Sequence, residues 1–334
     1  VVAIDPSSSI GSGTTLRSKN IYANPLDTGI FVSNDGGGTW SQLDGAPTVV
    51  RGMKVASNGT LYVAADNAVF KYTPSSGTWT NITPPDSKRK WGAIDVAPTD
   101  PNKIIVTVDR QDAVTNKFRL HFYYSGTGGI SWSGNLAATG NYTINYAAPW
   151  YVGTGRFAAA TACLRFDPVD PKIVYITDWY QVMKTTDITA SNVLWNQILR
   201  GHEEMVVPDM ASFPHPNAGD VQVFSGVADN GGFKHLNFVD YPTGYSSLSP
   251  GGRLTTWQAM TGFDFCETYP NYVASSGFQD NGKRGAFFVS NDKGQSFKGL
   301  DSLPGVAGKC AYSATDSNLI LAIVNKDYKT NPTA

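Results

Sequence analysis

Two carboxyl groups facing each other across a sugar, one protonated and one ionised, can hydrolyse a glycosidic bond. This chain has carboxylates outside obvious turns that could supply such a group. Asp229 lies in Ser225-Gly226-Val227-Ala228-Asp229-Asn230-Gly231-Gly232-Phe233-Lys234-His235. Glu203 and Glu204 precede the apolar run Met205-Val206-Val207, and Asp264 and Glu267 flank Cys266. Blander readings compete. Asp229-Asn230-Gly231-Gly232 is also a hairpin-turn sequence, which spacing alone favours, and Glu203-Glu204 is also a solvated pair where a strand starts. Flat side chains are available to stack on the apolar faces of pyranose rings: Trp150-Tyr151, Trp179-Tyr180 and Trp257. Their competing fate is packing between sheets.

Other chemistries find little support. No Walker loop, dinucleotide fingerprint, HExxH or CxxC pair is present, and His121, His202, His215 and His235 lack metal-ligand spacing. Cys163, Cys266 and Cys310 are too few and scattered for a disulfide framework or a zinc site. No metal or organic cofactor is implied. Charged residues make up 16% of the 334, with a net charge of −1, which argues against a nucleic-acid or anionic-membrane surface. No apolar run approaches bilayer length. Low Lys with abundant Asn, Ser, Thr and Tyr looks extracellular; the sequons at Asn58, Asn81 and Asn141 add little by themselves. The opening residues carry no signal-peptide pattern. Val1-Val2-Ala3-Ile4-Asp5-Pro6 already reads as a strand, so a mature or partial chain with both ends inside a repeat is expected.

The elements that must position these groups are read from repeats. Ser33-Asn34-Asp35-Gly36-Gly37-Gly38-Thr39-Trp40 recurs as Ser290-Asn291-Asp292-Lys293-Gly294-Gln295-Ser296-Phe297, with a blurred copy at Ser125 to Trp132 that has lost the Asp. This is an Asp-box, a tight turn between antiparallel strands. Asp and Ser side chains hold the turn backbone, Gly takes the conformation closed to other residues, and the aromatic is expected to plug the gap beneath. Asp-boxes come one per blade of a β-propeller. A second unit, strand then Pro-Asp-Pro turn then strand, runs from Ile94 to Val106 and again from Leu164 to Tyr175. Its prolines force the chain out of the sheet. Blade-sized units then fall near 1–48, 49–90, 91–148, 161–200, 204–240, 262–300 and 307–334. An all-β propeller fold is predicted, with residues 133–160 a long loop and 241–261 a loop or link.

The order of segments resembles glycoside hydrolase family 74, the xyloglucan-cleaving endo-glucanases and oligoxyloglucan hydrolases. The resemblance is carried by Asn58-Gly59-Thr60-Leu61-Tyr62-Val63 with Val69 to Thr73 and Gly77-Thr78-Trp79. Further along it is carried by Tyr146-Ala147-Ala148-Pro149-Trp150, Glu203 to Met210, Ala228 to His235, and Gly262-Phe263-Asp264-Phe265. It covers almost the whole chain. It implies two tandem seven-bladed propellers meeting at a glucan-holding cleft, with residues 1–200 as later blades of the first and 201–334 as early blades of the second. It also implies an inverting hydrolase in which Asp229 is the general acid and the base is an Asp upstream of Val1. Trp150, Trp179, Tyr180, Gly231 and His235 would contact the polysaccharide, a xyloglucan-like β-glucan. A secreted monomer without cofactor is expected. One departure is that Asp109-Arg110-Gln111-Asp112-Ala113-Val114 has no aromatic where the family often has a Trp pair. The rival reading is a non-catalytic Asp-box propeller that binds glycan or protein, as sortilin-like proteins do. A sialidase is disfavoured because no three-arginine set is evident.

Overall fold

A computed structural model describes residues 1–85, 90–108, 120–147, 157, 163–178, 181–201, 206–213, 217, 219–228, 231–242, 259–279, 284–300, 303–304 and 306–325. Among the described residues, apart from one 3-10 turn at Gly13–Thr15, the regular elements are strands. The chain forms β-propeller blades, and they fall into two compact units, one within Val1–Ala147 and Thr154–Glu203, the other within Glu204–Ala334.

Blades 1 to 4 make up the first unit. Blade 1 is Val2–Ile4, Ile21–Ala23, Phe31–Ser33 and Ser41–Gln42; blade 2 is Val50–Val55, Leu61–Ala65, Val69–Thr73 and Thr78–Asn81. Blade 3 is Trp91–Val96, Ile104–Val108 and Phe122–Ser125; blade 4 is Cys163–Phe166, Val174–Thr177, Val182–Thr185 and Val193–Gln197. Within each blade successive strands pair antiparallel. The stretch expected as a long loop contains a strand, Tyr142–Asn145, which adds to the edge of blade 4 in parallel with Val193–Gln197. Its alternation of half-buried Tyr142 and Ile144 with exposed Thr143 and Asn145 is a two-residue period. Four residues are too short a run to stand out in sequence.

The second unit holds blade 5 (Asp209–Ser212, Val223–Val227, Gly231–His235), blade 6 (Ala259–Phe265, Val273–Gln279, Arg284–Ser290, Lys298–Gly299) and blade 7 (Val306–Tyr312, Ile320–Asn325). A single parallel bridge, Gly231 to Ala259, joins blades 5 and 6 into one sheet.

Blades stack face to face through apolar side chains. On the innermost strands of blades 2 to 4 the residues one and three places before the first turn pack on the preceding blade. Met53 and Val55, Ile94 and Val96, and Leu164 and Phe166 are all buried there. The equivalent pair in blade 1, Val2 and Ile4, is 64% and 57% exposed.

The turns are built as the repeats suggest. In the first box the Ser33 hydroxyl accepts the Gly37 N–H at 2.8 Å and donates to Asp35, whose carboxylate takes the Thr39 N–H at 2.9 Å and hydroxyl at 2.7 Å. Ser290 and Asp292 repeat this with Gly294 and Ser296. In the blurred copy Thr127 replaces the Asp: its Oγ1 accepts the Ser131 N–H at 2.9 Å, while Ser125 still holds Gly129. A related fourth turn, at Thr185-Thr186-Asp187-Ile188-Thr189, has no glycine and so escapes the sequence pattern; its Asp187 takes the N–H and hydroxyl of Thr189, two residues on rather than four. All four donate one N–H to the first turn of their own blade: Gly36 to Lys19, Gly128 to Asn102, Ile188 to Lys172, and Lys293 to Asn271. The aromatic does not always plug the turn as expected. Phe297 is buried, but Trp40 is 43% exposed, its indole N–H turned back to Gly37 O. Trp79 and Trp132 instead donate to Asp44 O and Ile82 O, just past the last strand of the preceding blade.

Candidate functional site

Asp229, Trp150, Trp179 and Tyr180 lie outside the described residues, as do Tyr151, Glu203, Glu204 and Trp257. Gly231 and His235 are described, at opposite ends of one strand of blade 5. A strand rises about 3.3 Å per residue, which sets them about 13 Å apart, too far to touch one point on a ligand. Gly231 has φ of +74°, a conformation glycine adopts without strain, and it pairs with Val227 across the hairpin and with Ala259 of blade 6. The His235 Nε2 lies 2.8 Å from the Ser225 hydroxyl on the neighbouring strand, and burial lowers its pKa below the ordinary 6.5. Partial burial thus favours a neutral imidazole at pH 7.

The hairpin between Val227 and Gly231 is held at both described flanks. The Ala228 N–H donates to Val206 O at 2.9 Å. Gly226 lies so close to blade 6 that an added Cβ would collide with Met260 O. Glycine at 226 is therefore a packing requirement, because the strand of the next blade runs against this backbone.

The remaining carboxylate candidates have structural partners. Asp264 accepts the Tyr312 N–H of blade 7 at 2.8 Å and the Phe265 N–H at 2.9 Å. Glu267 is exposed. Sequence reading overlooked two further acids with reach across blades. Asp95 of blade 3 is 3% exposed; one oxygen accepts the Phe166 N–H of blade 4 at 2.8 Å. Its other oxygen has no hydrogen bond but forms an ion pair with Lys54 Nζ of blade 2 at 3.2 Å. Asp209 of blade 5 accepts the Phe263 N–H of blade 6 at 2.8 Å and pairs with Lys309 Nζ of blade 7 at 2.6 Å. Each acid ties three consecutive blades. The partners lie far along the chain, so no local motif announces them. Among the described residues no group of three or more His, Cys, Asp or Glu could hold a metal ion.

No family model matches the chain. Individual proteins do. A xyloglucanase of a Paenibacillus species is 26% identical over 358 residues, a match that covers 92% of this chain and 33% of the relative. A xyloglucanase of Hypocrea jecorina is 24% identical, covering 96% of this chain and 42% of the relative. Among solved structures, the glycoside hydrolase family 74 enzyme of Niastella koreensis superimposes with a TM-score of 0.77 at 26% identity, over 97% of this chain and 46% of that one. The family 74 xyloglucanase of Xanthomonas campestris gives 0.74 at 25% identity, over 94% and 45%. The chain spans about a third of the length of the Paenibacillus relative.

Proposed function

We propose that this chain, similar in sequence and in fold to glycoside hydrolase family 74, is part of a secreted, monomeric hydrolase that cleaves the β-1,4-glucan backbone of xyloglucan-type polysaccharide. The observation that carries the reading is a sequence likeness to xyloglucanases running through nearly the whole chain, joined to a matching propeller backbone. In this reading Asp229 donates a proton to the departing glycosidic oxygen. A water activated by a second Asp attacks from the opposite face and inverts the anomeric centre. The second Asp belongs, by the resemblance, to a blade N-terminal to Val1. Partial burial would have to raise the Asp229 pKa for it to stay protonated near neutral pH. Trp150, Trp179 and Tyr180 would stack on the glucan, with Gly231 and His235 lining it further along.

Residues 1–200 are read as later blades of one propeller and 201–334 as early blades of a second. Exposed Val2 and Ile4 support this, since the same positions in blades 2 to 4 are buried against a neighbour.

The test uses full-length protein, with reducing ends released from xyloglucan and from mixed-linkage glucan and the product anomer followed by NMR. Asp229→Asn should cut the rate about 10²–10⁴-fold with binding and melting temperature nearly unchanged, because Asn keeps size and polarity but cannot give a proton. Trp179→Ala and Tyr180→Ala should weaken binding first, since stacking acts on ground and transition states alike. An Asp229→Asn protein at full rate removes the acid assignment. Wild-type protein retained on a glucan column yet inert on every β-glucan returns the binding propeller.

A further inference from the structure

We infer that Lys309, on the innermost strand of blade 7, is a positioning residue for the backbone at Ala228, the residue that precedes Asp229 in sequence; the inference rests on the reading of Asp229 as general acid. The chain of contacts is short. Lys309 Nζ donates to Pro208 O at 2.9 Å and pairs with Asp209 Oδ1 at 2.6 Å. The other Asp209 oxygen takes the Phe263 N–H of blade 6. Pro208 and Asp209 are thereby fixed from two blades at once. Two residues back, Val206 O accepts the Ala228 N–H at 2.9 Å, and Ala228 immediately precedes Asp229.

Proline makes this grip matter. It has no N–H to donate, so the segment before Asp209 cannot be held by a ladder through that residue. Val206 and Pro208 are exposed, and apolar packing does little to fix them. Beside the ladder pairing of Asp209 with Gly226, a charge-assisted bond to the Pro208 carbonyl adds a hold on this segment from blade 7. A general acid must sit within hydrogen-bond reach of the departing oxygen, and a misplacement of about 1 Å can cost about a hundredfold in rate. Lys309 touches no reacting atom in this account; it acts through Pro208, Val206 and Ala228.

The experiment compares Lys309→Met and Lys309→Arg with wild type and Asp229→Asn in full-length protein. It measures xyloglucan turnover, KM, and amide exchange at Ala228. Lys309→Met should lower kcat about ten- to hundredfold with KM within about twofold, and should speed Ala228 exchange. Lys309→Arg, which keeps charge and donors, should recover most of kcat and of the Ala228 protection. A purely structural role would move melting temperature without this split between kcat and KM. Full kcat in Lys309→Met beside an inert Asp229→Asn overturns the inference alone. Full kcat in Asp229→Asn overturns the acid reading and the inference with it. Unchanged Ala228 protection in Lys309→Met overturns the proposed route.

Discussion

Asp95 and Asp209 are the same device built at two depths. Each carboxylate accepts a backbone N–H from the next blade and meets a lysine from another, so that three consecutive blades share one acid. Asp95 is 3% exposed and Lys54 40%, whereas Asp209 is 22% exposed and Lys309 55%. The difference decides what each can do. A buried carboxylate that loses its cation keeps an uncompensated charge in low dielectric, so the first clamp is a matter of stability. A half-exposed pair is screened by water and adds little to folding, but can still fix where a backbone segment lies. The inner clamp holds sheets together, and the outer one is free to orient a loop.

The largest predicted effect follows from that asymmetry. Lys54→Met should destabilise the first unit by about 3 kcal/mol, since Asp95 is left charged with only the Phe166 N–H as partner. Asp95→Asn should cost less, about 1 kcal/mol: the amide oxygen still accepts that N–H and Lys54 can turn to solvent. Thermal melting of the two variants checks the order. An Asp95→Asn protein less stable than Lys54→Met would mean the ion pair is not what matters. Next in size is a purely local bond. Ser290→Ala strips the acceptor from the buried Gly294 N–H and should cost about 1–2 kcal/mol, without altering any contact between blades. Smaller again, Lys309→Met should cost about 1 kcal/mol or less in stability, despite the larger change expected in turnover. A loss as large as that of Lys54→Met would erase the distinction between the clamps.

What could be read from the residues divides along the same line. The Asp-boxes were legible because donor, acceptor and aromatic all fall within eight residues, so spacing carries the geometry. The turn at Thr185 to Thr189 shares the bond to its blade's first turn but was not legible, since Thr189 stands where the boxes have Gly. Neither clamp could be seen. Asp95 and Phe166 are 71 residues apart, and Lys309 and Pro208 are 101 apart. Asp264 stands out in sequence as a carboxylate outside the obvious turns, but its bond to Tyr312 depends on which blades are neighbours. Strand alternation marked the blades well, yet missed Tyr142–Asn145, whose partner strand comes some fifty residues later and runs parallel. The candidate acid was singled out by resemblance, because Asp229-Asn230-Gly231-Gly232 by itself also spells a turn.

The smallest effect separates the boxes that keep their Asp from the one that does not. The Thr39 N–H and hydroxyl and the Ser33 hydroxyl hold the Asp35 carboxyl far below its ordinary 3.8. At Asp292 burial pushes the other way, but Ser296 and Ser290 outweigh it and the pKa is again lowered. A depressed folded pKa means the unfolded chain binds the proton more readily. The stability these carboxylates contribute is therefore complete above about pH 4 and is lost as pH falls through the folded values. Thr127, in the same place at Ser125 to Trp132, does not titrate in this range. Amide exchange corrected for intrinsic rates should show protection at Thr39 and Ser296 fading below about pH 4, while Ser131, bonded to Thr127, keeps its own. Asp35→Asn and Asp292→Asn should flatten the acid dependence at their own turns and nowhere else. Parallel loss at Ser131 would show that acid unfolds whole blades first, and that the carboxylates do not set the local acid stability of their turns.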